Sequence, residues 1–124
     1  TLSDWFHREI IPLELVDNRF YHLDTCLCPL SGGDLLYFPP AFDRYGQEVL
    51  AERIAPSRRL VPPEAEALRF ACNAVCVGKH VVLPAGCPET ESLLASRGYL
   101  PHPVQLDEFM KSGGSAKCLT LALN

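Results

Sequence analysis

The 124-residue sequence has no window of about eighteen apolar residues, so nothing in it reads as a membrane-spanning helix. A basic-then-apolar leader is also missing from its start. Positive charge is scarce: eleven Lys and Arg against fifteen Asp and Glu leave a formal net charge of -4. Nucleic-acid-binding domains instead carry a basic stripe that neutralises phosphates, and here Arg58-Arg59 is the sole adjacent basic pair. Neither nucleic acid nor membrane is therefore expected as a partner, and the expected compartment is the cytoplasm. The chain opens on Thr1 rather than a methionine, which leaves room for a segment upstream.

Disorder is excluded by composition, because 48% of residues are hydrophobic and only 21% charged. Linker-like stretches and sequence repeats are absent, and the length suits one domain spanning 1–124. The six cysteines lack the spacing of zinc knuckles: Cys26-Leu27-Cys28 has one intervening residue and lies inside an apolar run. Without an export signal they are read as thiols, buried in part as small hydrophobes. No metal and no cofactor are expected.

What is present alternates between strand-like and helix-like periods. Ile10–Val16 reads as an edge strand, Tyr21–Leu30 as a longer one, and Asp34–Phe38 as its hairpin partner across the "SGGD" turn. Tyr45, Val49, Leu50 and Ile54 fall at helical spacing behind an Asp43 cap. Leu60-Val61 makes a short strand, and "PPEAEALRF" a helical turn that tolerates proline at its start. "NAVCVGKHVVLP" is a hairpin about Gly78-Lys79, Glu89–Arg97 a helix stopped by Gly98, and "HPVQL" a strand. "DEFMKSGG" is a turn of helix running into a loop, and Cys118–Leu123 the final strand. Hairpin, helix, strand thus occurs twice, an α/β pattern repeated in structure and not in sequence.

On this reading His22, Asp24, Cys26 and Cys28 share one face of a strand, with His22 and Asp24 roughly 6 to 7 Å apart. Both can reach a ligand lying across that face; equally, His22 can pack at a sheet edge while Asp24 caps a turn. Cys118 is either packing or a nucleophile. Gly113 and Gly114, lacking Cβ atoms, let the loop before it approach other backbone closely. A thiol and a histidine far apart in sequence are how nucleophilic sites are usually assembled.

Four segments, "FYHLDTCLCPL", "GGDLLYFPPAF", "FACNAVCVGKHVVLP" and "EFMKSGGSAKCLTLAL", resemble the C-terminal half of the guanidino-group-modifying (pentein) enzymes. The resemblance runs from Phe20 onward. It implies a partial α/β propeller of ββαβ modules, about half of a full ring, with one flank exposing apolar surface. It implies Cys118 as nucleophile, His22 as general acid/base, Asp24 as a carboxylate gripping a guanidinium, and Gly113 and Gly114 beside the substrate. The implied reaction is hydrolysis of arginine or a methylarginine-like small molecule through a covalent thiouronium. Transfer of the amidino group to an amine, and a non-catalytic binding or assembly module, are the alternatives. Asn73 reads as a structural turn cap, and Lys117, on the opposite face from Cys118 if the strand has begun, as solvent or substrate periphery and not a catalytic lysine. A further acidic pair that the family supplies has no match among Asp4, Glu9, Glu14 and Asp17. An upstream half of the same chain or a second copy is the expected partner.

Overall fold

Short apolar runs separated by Pro- and Gly-containing turns give two copies of one module. The computed structural model describes residues 1–123. After a terminal helix α1 (Leu2–Phe6), the first module comprises β1 (Leu27–Pro29), β2 (Leu35–Tyr37), α2 (Arg44–Arg53) and β3 (Arg59–Leu60). A short helix α3 (Glu64–Ala67) leads to the second: β4 (Val75–Val77), β5 (His80–Pro84), α4 (Pro88–Ser96) and β6 (Leu100–Val104). Helix α5 (Asp107–Met110) and a 3-10 turn at Lys117–Leu119 follow.

Each module is a three-stranded sheet. The hairpin pairs antiparallel, with Cys28 opposite Leu36 and Cys76 opposite Val81, and the third strand returns parallel after its helix. A helix is the usual means of joining parallel neighbours, because their ends lie at opposite edges of the sheet. Leu36, Leu60, Val81, Leu83 and Leu94 are fully buried along with Phe20 and Phe42.

Local chemistry fixes the helix starts. Asp43 accepts from the Gly46 amide at 2.7 Å, which caps α2. The start of α4 is capped from outside its own segment. Buried Glu66 accepts from the Glu89 amide at 2.9 Å, and from the Thr90 amide and hydroxyl at 2.7 and 2.5 Å. A carboxylate there meets the positive end of the helix dipole and satisfies otherwise orphaned donors.

The modules are stitched along β1 and β4. Cys28 Sγ donates to the Ala74 carbonyl at 3.4 Å, and the Ser31 amide donates to Cys76 Sγ at 3.4 Å. Beyond the β1–β2 turn, the Tyr99 hydroxyl donates to Asp34 Oδ2 at 2.8 Å and accepts from the Gly32 amide at 3.0 Å.

Two expected strands are not strands, and a third is much shorter than expected. Ile10–Val16 forms no strand and makes a single bridge among the described residues, Leu15 to Phe42; Pro12 removes a ladder donor, while Leu13 and Leu15 still pack against the core. Tyr21–Leu30 is strand only at Leu27–Pro29, because Leu23–Thr25 closes into a 3-10 turn. The Thr25 hydroxyl and amide both donate to the His22 carbonyl, at 2.5 and 3.0 Å, a local alternative that outcompetes extension. At the end of the chain, Cys118–Leu123 pairs with no strand among the described residues, and Cys118 sits within the Lys117–Leu119 turn. Large exposed apolar side chains concentrate at the two ends of the chain: Leu2, Trp5 and Phe6, then Leu119, Leu121 and Leu123.

Candidate active site

The strand that was to align His22 with Asp24 does not exist, yet the turn replacing it brings Asp24 to Cys118. The Cys118 thiol lies 3.8 Å from Asp24 Oδ2, in range for the S–H to donate to the carboxylate. Asp24 Oδ1 is buried without a hydrogen-bond partner among the described residues. A buried carboxylate oxygen left open is costly unless something else occupies it, so Asp24 presents one free acceptor beside the thiol.

Asn73, at the start of the β4–β5 hairpin, ties these residues together. Its side chain is fully buried. Nδ2 donates to the Asp24 carbonyl at 2.9 Å and to Cys118 Sγ at 3.2 Å. Oδ1 accepts from the Ser115 and Cys118 amides at 3.0 and 3.3 Å, and the Asn73 carbonyl accepts from the Lys117 amide at 3.1 Å. The expectation of a structural turn cap captures the backbone contacts and misses the one to sulfur.

The glycine loop makes the close approaches that its composition forecast. A Cβ on Gly114 would sit 3.0 Å from the Cys118 Cβ and 3.7 Å from its Sγ, crowding the thiol. Gly113 holds a left-handed φ of 83°, and a Cβ there would run into the Tyr21 hydroxyl, which donates to the Gly113 carbonyl. Gly113 thus packs on Tyr21 while Gly114 packs on the nucleophile candidate. The His22 ring is exposed and stands edge-on to Tyr21, centroids 5.1 Å apart at 71°. Among the described residues it makes no hydrogen bond, and the contacts that join Asp24, Asn73 and Cys118 do not include it.

Below Asp24 opens a cleft of about 370 Å³ between β1 and β4, walled by Leu23, Leu27, Cys28, Ala74, Val75 and Cys76. Lys117 also lines it. The opposite-face placement of Lys117 depended on a strand beginning there, and the 3-10 turn removes that alternation; a place at the rim of the cleft agrees with the other reading, the substrate periphery.

Accessibility separates the six free thiols. Cys118 is exposed and Cys76 half-buried, whereas Cys26, Cys28, Cys72 and Cys87 are buried. Burial pushes Cys26 up to about 12 and Cys28 and Cys87 to about 11, and drives Cys72 far above the ordinary range. These four stay protonated and inert at neutral pH. No group of three or more His, Cys, Asp or Glu among the described residues is placed to hold a metal ion.

With this geometry in hand, the fold is that of part of the guanidino-group-modifying (pentein) α/β propeller, and the chain's homologues are guanidino-modifying enzymes. It is 48% identical over 120 residues to the bifunctional arginine dihydrolase/ornithine cyclodeaminase ArgZ of Synechocystis sp., covering 97% of this chain and 17% of that protein. It is 42% identical over 115 residues to the N(G),N(G)-dimethylarginine dimethylaminohydrolase of Mycobacterium tuberculosis, covering 93% and 37%. The crystal structure of the N-terminal domain of ArgZ bound to product matches with a TM-score of 0.93 at 48% identity, over 97% of this chain and 44% of that one. A variant of the same domain has been solved covalently bound to a reaction intermediate. No protein-family model matches. The chain thus spans less than half of the solved domain and about a sixth of ArgZ. The expected C-terminal position needs restating as well, because the matched domain is the N-terminal one of a longer protein.

Proposed function

We infer that this chain is the C-terminal portion of a catalytic domain that hydrolyses a guanidino substrate, arginine or a methylarginine. The observation that carries the reading is the exposed Cys118 thiol 3.8 Å from a carboxylate with one buried, unpartnered oxygen. A planar guanidinium cation is matched to such an acceptor, since charge-assisted N–H···O contacts are strong and directional. Its positive charge also favours ionisation of the adjacent thiol.

In the proposed sequence, the Cys118 thiolate attacks the guanidinium carbon. The C–N bond to the departing ammonia or amine breaks as His22 supplies the proton, leaving a thiouronium on sulfur. His22 then takes a proton from water, hydroxide adds to the same carbon, and the C–S bond breaks to release a ureido product and the thiol. Covalent catalysis of this kind divides one difficult displacement into two. The covalent intermediate of the ArgZ domain supports the first half, and the hydrolase names of both relatives support water as the acceptor. The catalytic set is completed by acidic residues outside these 124, supplied by an upstream half of the chain or by a second copy. The apolar side chains at both ends of this chain suit such packing.

The test is product analysis of the full-length protein with arginine and with mono- and dimethylarginine. Ammonia or amine release with a matching ureido product is expected, and the product is expected to be unchanged when glycine is added as an acceptor. Amidino transfer to glycine would replace hydrolysis with the transferase alternative. No turnover of any of these substrates would remove the reading.

A further inference from the structure

Asn73 uses all of its amide hydrogen-bonding capacity on the candidate nucleophile and its surroundings. Two N–H bonds go to the Asp24 carbonyl and Cys118 Sγ, and two lone pairs take the Ser115 and Cys118 amides. The network fixes the orientation of the amide. Turned over, it would set its oxygen against the Asp24 carbonyl and its N–H groups against two backbone donors. The partners lie 42 to 49 positions away in sequence, so the side chain does far more than cap its own hairpin.

The backbone that delivers Asn73 is strained. Phe70 has a left-handed φ of 60°, an uncommon state for a bulky side chain, and its carbonyl accepts from the Asn73 amide at 2.9 Å. Such conformations are costly and persist where the surroundings over-determine them, typically at functional sites. Here the strained turn ends α3 and aims Asn73 into the site.

We propose that Asn73 is a positioning and thiolate-stabilising residue: it holds the Ser115–Cys118 turn in place and presents an N–H to Cys118 Sγ, favouring the ionised nucleophile. The proposal rests on the reading of Cys118 as nucleophile and adds to it a donor present before substrate arrives. The two neighbours of the sulfur then act in opposite senses. Asp24 accepts from the neutral thiol and repels the thiolate, while Asn73 stabilises the thiolate. A cationic substrate neutralising Asp24 tips the balance.

The test reads thiol ionisation and needs no turnover. Alkylation of Cys118 by iodoacetamide is followed against pH in the full-length protein, with the modified residue identified by mass spectrometry. Asn73→Asp keeps the shape and both acceptor positions, removes the donor to sulfur and adds negative charge. Asn73→Ser is neutral and too short to reach the sulfur. The pH midpoint of alkylation is expected to rise by about one unit or more in Asn73→Asp, and less in Asn73→Ser, while the reactivity of Cys76 stays unchanged; one unit corresponds to about 1.4 kcal/mol. A folded variant of either kind with an unmoved midpoint overturns the proposal. Failure of both variants to fold contradicts it too, since the amide would then serve the fold and not the thiol. A shifted midpoint in a protein that turns over no guanidino compound would uphold the role of Asn73 and sink the enzymatic reading instead.

Discussion

Cys118 Sγ lies 3.8 Å from Asp24 Oδ2 across 94 positions of sequence. Two 3-10 turns, Leu23–Thr25 and Lys117–Leu119, bring these side chains together, and the amide of Asn73 bridges the turns. The candidate site is therefore assembled from irregular segments held at the join of two regular modules. This is a common arrangement, since loops carry chemistry and scaffolds hold them in position.

Replacing Asp24 with asparagine keeps the shape and removes the charge facing a guanidinium. In the full-length protein, on the proposed hydrolysis, Asp24→Asn is expected to raise KM. Losing a hydrogen bond to a charged group costs about 1.5–3 kcal/mol, on the order of tenfold to a hundredfold. Steady-state kinetics check this, and an unchanged KM and kcat would remove Asp24 from the substrate's contacts.

His22→Gln is expected to lower kcat by about 10²–10⁴, the usual contribution of a positioned general acid/base. The acid limb of the pH–rate profile should change with it. Retention of the full rate would show that another group moves the proton.

Much of this was legible in the sequence. The two apolar runs of "NAVCVGKHVVLP" about Gly78-Lys79 and the helical spacing behind Asp43 yield the second hairpin and α2 almost to the residue. Gly113 and Gly114 announced close backbone approach, and the structure has it. The face shared by His22 and Asp24 was misread because "YHLDT" contains a threonine whose hydroxyl returns to the His22 carbonyl and curls the segment. That competition is local, and apolar alternation does not report it. Asn73 escaped for a different reason: its donors and acceptors find partners only after segments 42 to 49 residues away have closed around it. Glu66 escaped likewise, as a buried carboxylate capping a helix that starts 22 positions later.

That cap gives a stability prediction. Glu66→Ala leaves two amides and a hydroxyl of α4 without their acceptor in a buried position. A loss of about 1–3 kcal/mol is expected, the cost of unsatisfied buried donors, measured by denaturant unfolding of the full-length protein. A change below about 0.5 kcal/mol, typical of surface substitutions, would contradict the capping role.

Alkaline pH should destabilise the fold through the buried thiols. Cys26, Cys28 and Cys87 titrate in the folded protein at about 11–12, against an ordinary value of 9.0. Between pH 9 and 11 the unfolded chain therefore binds fewer protons than the native one, so stability falls as pH rises. Unfolding curves from pH 8 to 10.5 check the sign. A stability that rises over that window would contradict the burial of these thiols.

The central claim, that Cys118 is a covalent nucleophile toward guanidino carbon, is tested most directly by acid-quenching the full-length protein during turnover and mapping adducts by mass spectrometry. The predicted result is an amidino-type adduct on the peptide carrying Cys118, absent from the peptides of the other five cysteines and lost in Cys118→Ser together with activity. Turnover that persists in Cys118→Ser, or an adduct mapping to a different cysteine, would contradict the account.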